Sequence, residues 1–106
     1  MIISGGENIY PAEIENQLVT LPGVAESAVV GLPDARWGEV PVAVLVRALD
    51  VAGQALDAEA VLAHLQSRIA RFKLPRRVVF MDSLPKSALG KVLKPQLQAQ
   101  LTRTNP

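Results

Sequence analysis

The sequence predicts a small α+β fold: a three-stranded sheet with helices packed on it, plus a short N-terminal hairpin. Two segments, Val24–Leu32 and Val40–Val46, are apolar and rich in β-branched residues, as buried strands require. A third, after Asp57, repeats its apolar residues at helical spacing. Proline and glycine punctuate the rest into the order strand, helix, strand, strand, helix, strand, helix. The 106 residues suit a single domain.

Met1-Ile2-Ile3 reads as a strand end, and Ser4-Gly5-Gly6-Glu7-Asn8 as a hairpin turn whose glycines accept positive φ. Pro11 suits the first position of a helix, with Glu13 and Glu15 near the positive end of its dipole. Ile14, Leu18 and Leu21 share a face, and Pro22-Gly23 ends the helix. In the first long strand, the unbroken Ala28-Val29-Val30 implies cover on both faces. The loop Pro33–Gly38 carries Trp37, the only tryptophan, which either plugs the sheet edge or meets a ligand. Asp50–Leu56 reads as a polar connection. Asp57 is an N-cap for a helix over 58–72 with Val61, Leu62, Leu65, Ile69 and Phe72 as its buried stripe. His64 lies off that stripe and reads as a surface histidine without a partner. Arg77–Met81 is a short strand, Pro95 to about Leu101 a closing helix, and the remainder a polar tail.

Composition excludes several classes. Apolar residues make up 49% of the chain and aromatics 4%, so the core is aliphatic. The net charge of +1, without a block of like charge, argues against nucleic acid or an anionic membrane as partner. The longest apolar run, around Val40–Val46, is far too short to span a bilayer. There is no cysteine and one histidine, so neither a disulfide framework nor a metal cluster is expected. These features, with no signal peptide in view, suggest a reduced, cytoplasmic setting.

The chemistry-bearing stretch is Leu84-Pro85-Lys86-Ser87-Ala88-Leu89-Gly90-Lys91-Val92-Leu93-Lys94. Pro85 and Gly90 shape a short arm that holds Lys91 away from the fold, where a cation can reach an anion on another surface. A phosphate-binding P-loop is ruled out. Pro85 stands where its first glycine belongs, and Val92 follows Lys91 in place of Ser or Thr. Lys91 would meet a phosphate as a point charge from outside.

Four segments in order resemble one family. Ser4-Gly5-Gly6-Glu7-Asn8-Ile9-Tyr10-Pro11, Gly31-Leu32-Pro33-Asp34 with Trp37-Gly38-Glu39, Phe72-Lys73-Leu74-Pro75, and Leu84-Pro85 through Lys94 look like the C-terminal subdomain of adenylate-forming acyl-CoA synthetases. The resemblance spans almost the whole chain, residues 1–106. It implies a swivelling lid for a two-step reaction with ATP and coenzyme A as co-substrates. A carboxylate first attacks the α-phosphate of ATP to give acyl-adenylate and pyrophosphate. The coenzyme A thiol then displaces AMP.

The resemblance assigns Lys91 to the first step, bridging carboxylate and phosphate oxygens. It places Gly5, Gly6 and Glu7 beside the active site in the second step, with Trp37 and Phe72 toward coenzyme A. In the family the hinge lies just before the position of Met1, and the large N-terminal adenylation domain precedes it. That domain is the expected partner. It would supply the acid pocket, the ATP loop and bound Mg2+, so the chain alone is expected to be inactive. Two other readings stay open: a non-catalytic binding module, and the lid of an adenylation domain that loads a carrier protein.

Overall fold

The computed structural model describes residues 1–104. It is built on one long antiparallel ladder between β3 (Val24–Asp34) and β4 (Gly38–Arg47), in which Ala28 faces Val44 and Val30 faces Val42. Side chains alternate across a strand, so this ladder feeds two cores. Val29, Ala43 and Leu45 join Ile14 and Leu18 of α1 (Pro11–Leu18) and Val61 and Leu65 of α3 (Ala58–Gln66) on one face. Ala28, Val30, Leu32, Val42 and Val44 join Leu84 and, from α4 (Lys94–Thr104), Leu97 and Leu101 on the other. This double cover explains why the apolar runs are continuous.

β3 occupies one edge of β4. The other edge is shared. β5 (Arg77–Phe80) pairs there in parallel, Ala43 with Val78. At the Gly38 end sits the hairpin of β1 (Ile2–Ser4) and β2 (Glu7–Ile9), joined to the sheet by the pair Ser4 and Gly38. The expected three-stranded sheet is therefore present, extended to five strands by the expected hairpin. Its turn is tighter than Ser4–Asn8, because Glu7 and Asn8 already belong to β2. Gly5 and Gly6 alone make it, at φ +57° and +83°, matching the twist of a two-residue hairpin.

The helices correct the sequence reading at four points, the first being α1, which ends at Leu18 and leaves Leu21 beyond it. Asp50–Leu56 contains a short helix, α2 (Val51–Ala55), capped by the Asp50 carboxylate on the Gly53 N–H at 2.8 Å. A side chain at position 53 would put Cβ 1.9 Å from the Ala48 carbonyl oxygen, so this interior helical glycine is set by close backbone approach. Asp57 caps α3 as expected, on Ala60 N–H at 2.8 Å. That helix ends at Gln66, well short of residue 72. The chain re-forms only as a 3-10 turn at Arg71–Lys73 ahead of Pro75, which disfavours helix at the residue before it. Phe72 consequently leaves the stripe and is 48% exposed, while Leu62 and Ile69 are only partly buried.

His64 has partners. Its Nε2 lies 2.9 Å from Thr20 Oγ1 and 3.0 Å from the Gln17 carbonyl oxygen, tying α3 to the end of α1. The closing helix runs to Thr104, beyond the expected Leu101, and the end of the anticipated tail, residues 105–106, lies outside the described residues.

Val61 and Leu65 are the two fully buried residues of α3. Leu65→Ala should cost about 2–5 kcal/mol in urea unfolding, and Leu62→Ala clearly less. Equal costs would contradict the helix phase.

Candidate functional site

Two groups of chemistry-bearing residues stand at opposite ends of the β3–β4 ladder. The first is the Lys91 turn, between β5 and α4. The sequence suggests an arm; the structure is a hydrogen-bonded turn. Ser87 N–H donates to the Lys91 carbonyl and Gly90 N–H to the Ser87 carbonyl, both at 2.9 Å. Ser87 Oγ accepts from the N–H groups of Leu89 and Lys91 at 3.3 Å. Lys86 and Val92 form a bridge across the stems, and Leu93 N–H donates to the Pro85 carbonyl at 2.9 Å. Gly90 makes the reversal at φ +82°. Buried Leu84 pins one stem to the α4 side of the sheet.

The three lysines of this segment differ in one decisive respect. Lys86 pairs with Glu26, and Lys94 with Glu15 at 2.9 Å. Lys91 is exposed, and among the described residues it makes no ion pair. It stands at the rim of a groove of about 800 Å³ whose walls include Glu15, Glu26, Ser27 and Lys94.

The second group surrounds the β3–β4 turn. Asp34 Oδ1 accepts from the N–H groups of Arg36 and Trp37, both at 2.9 Å, which shapes the loop and turns Trp37 toward the hairpin. Gly5 N–H donates to the Trp37 carbonyl at 2.8 Å. A Cβ at Gly5 would lie 2.5 Å from Trp37 Cε3, so the indole rests on bare backbone. Gly6 faces open space, and Glu7 beside it is exposed. The structure thus brings Gly5, Gly6, Glu7 and Trp37 together, with Trp37 sealing the seam where hairpin meets sheet.

Arg36 and Arg76 hold their guanidinium carbons 5.0 and 4.8 Å from the Trp37 ring centroid. Sequence reading missed both. Arg36 was signalled by adjacency to Trp37, whereas Arg76 is aligned only through its N–H bond to the Pro41 carbonyl at 2.9 Å. Phe72 is not in this group. It lines a neighbouring groove of about 650 Å³ with Arg71 and Arg76, so Arg76 connects the two. Lys73 reaches back to Glu13, its Nζ at 2.8 and 3.0 Å from the two carboxylate oxygens.

The Lys91 groove borders β3 at Glu26, and the Trp37 turn follows Asp34. At roughly 3.3 Å per residue these points lie about 25 Å apart along the strand. Among the described residues no three His, Cys, Asp or Glu side chains cluster to hold a metal ion, and no helix is long and apolar enough to cross a membrane.

Together these features define a small α+β domain whose candidate site residues lie along its surface. The chain belongs to the AMP-binding enzyme C-terminal domain family, which matches residues 13–91. It is 59% identical over 103 residues to an indoleacetate–CoA ligase of Aromatoleum aromaticum, covering 97% of this chain and 20% of that protein. A Mycobacterium tuberculosis fatty acyl CoA synthetase structure superposes with a TM-score of 0.92 at 43% identity, over 100% of this chain and 20% of its own. Apo MatB from Rhodopseudomonas palustris gives 0.89 at 42%, over 98% and 20%. The chain therefore spans about one fifth of the length of the relatives it matches.

Gly5→Ala should destabilise by about 1–3 kcal/mol, because position 5 needs positive φ and the new methyl meets the indole. It should also change the emission of Trp37. Gly6→Ala carries the backbone strain without the contact, so Trp37 emission should stay as in the wild type. Identical spectra for both variants would contradict the packing described.

Proposed function

We propose that this chain is the mobile C-terminal lid of an ATP-dependent acyl-CoA ligase and that Lys91 serves its adenylation step. The observation that carries this reading is the Lys91 ammonium, which makes no ion pair among the described residues, between two lysines already neutralised by Glu26 and Glu15. A carboxylate oxygen attacks the α-phosphorus of ATP, forming an O–P bond as pyrophosphate leaves. Two anions approach there. A preorganised cation touching both lowers their repulsion and stabilises the charge that develops on the phosphoryl oxygens. Among the described residues Lys91 has no counter-ion to give up.

The other end of the ladder suits the second step. The coenzyme A sulfur attacks the acyl carbon and AMP leaves. Gly6, which faces open space beside exposed Glu7, leaves room for a thin pantetheine chain against the backbone, while Gly5 seats the Trp37 indole that borders it. Trp37, flanked by Arg36 and Arg76, and Phe72 beyond Arg76 offer aromatic faces and cations to the nucleotide portion of coenzyme A. A separation of about 25 Å means that one reaction centre meets these ends in turn, which is why a swivelling lid fits. The acid pocket, the ATP loop and Mg2+ belong in this reading to an N-terminal adenylation domain, and the chain alone has no turnover. A cytoplasmic setting goes with ATP and coenzyme A as co-substrates.

The test grafts this chain in place of the matching segment of the indoleacetate–CoA ligase. Lys91→Ala should lower pyrophosphate release by about 10²–10³ and change stability by less than about 0.5 kcal/mol. Lys94→Ala should do far less. A wild-type rate for Lys91→Ala, or a dead Lys94→Ala beside an active Lys91→Ala, would refute the assignment.

A further inference from the structure

The two acidic residues facing the Lys91 turn come from different elements. Glu15 follows Ile14 of the buried face, so it sits at the margin of α1, about 100° around the helix. Glu26 follows the irregularity in β3 at Val24/Glu26 and shares a face with Ala28 and Val30, the face that α4 covers. Lys86 enters the turn and Lys94 leaves it, and their stems are tied by the Lys86–Val92 bridge and the Leu93–Pro85 bond. Glu26 holds the first stem and Glu15 the second. Glu15 does more, because its Oε2 also accepts the Val29 N–H at 2.8 Å. One carboxylate thus joins α1, β3 and the base of the Lys91 turn.

We propose that Glu15 is a positioning residue for Lys91, acting through Lys94, with Glu26 acting the same way through Lys86. This inference rests on the reading of Lys91 as the adenylation lysine. The clamp does two things. It fixes both stems on the α1–β3 side, so Lys91 projects from one place at the groove rim. It also neutralises the two lysines that would compete for the same anions. The pairs are partly exposed, with side-chain accessibilities of 37% and 35% for Lys86–Glu26 and 38% and 24% for Lys94–Glu15. Each is therefore modest in energy, and its removal should slow the step without abolishing it.

The grafted ligase tests this by following two half-reactions, acyl-adenylate formation and thioester formation from supplied acyl-adenylate. Glu15→Gln keeps an acceptor for the Val29 N–H but loses the charge. It should lower adenylation about two- to fivefold, as should Lys94→Met, and the double variant should be no slower than either alone, because the two act as one pair. Lys94→Arg should adenylate at close to the wild-type rate. Combining Glu15→Gln with Glu26→Gln should reach about tenfold. Thioester formation should stay unchanged in the Glu15 and Lys94 variants. Wild-type adenylation by Glu15→Gln, losses that multiply in the Glu15/Lys94 pair, or equal loss in both half-reactions would overturn the clamp. Lys91→Ala runs alongside. If it adenylates normally, the adenylation reading falls and the clamp with it; if it is impaired while Glu15→Gln is not, only the clamp falls.

Discussion

The antiparallel pairing of β3 with β4 is the constraint on which the rest depends. It is the longest pairing in the chain, running from Val24–Arg47 to Asp34–Gly38. Its two faces supply residues to both hydrophobic clusters. The main elements are placed by it: α1 and α3 cover one face, α4 the other, and β5 and the hairpin share the other edge of β4. A one-residue slip would exchange the two sets of side chains. It would send Val42 and Val44 toward α1 and strip α4 of its contact surface.

The same ladder separates the two candidate groups. Its turn carries Trp37 and receives the hairpin glycines. Its far part carries Glu26 and lies beside Glu15 and the Lys91 turn. The electrostatics differ accordingly. Around Trp37 two guanidiniums stack on one indole. Around Lys91 two carboxylates quench the flanking lysines. One end is a cationic aromatic surface and the other a single presented ammonium, and a rigid sheet keeps them apart.

Much of this was legible in the residues because the signals are local. The Asp57 cap, Pro11 at the start of α1 and the two apolar strands each depend on a few neighbouring side chains. So did the family resemblance, carried by short motifs that survive as contiguous runs. What was missed depends on distance along the chain. Gly53 reads as a helix breaker until the Ala48 carbonyl is found where its Cβ would be. His64 reads as unpartnered because Thr20 and Gln17 lie 44 and 47 residues away. The apolar spacing continues to Phe72 although α3 ends at Gln66, so periodicity alone does not register where this helix stops. The pairing of Glu15 with Lys94, which distinguishes Lys94 from Lys91, joins two ends of the chain and leaves no mark in either segment.

In the proposed reaction one lid presents two ends of its sheet in alternation. This segment has no cysteine, so a single thiol introduced into it is assigned to one end by its peptide. Lys91→Cys and Glu7→Cys, placed separately in the grafted ligase, can be labelled with a small alkylating reagent and read by peptide mass. With a non-reactive ATP analogue and the acid bound, position 91 should be protected and position 7 labelled. With an acyl-adenylate analogue and coenzyme A bound, the pattern should reverse. Protection of both positions in both states, or of neither in any, would contradict the account.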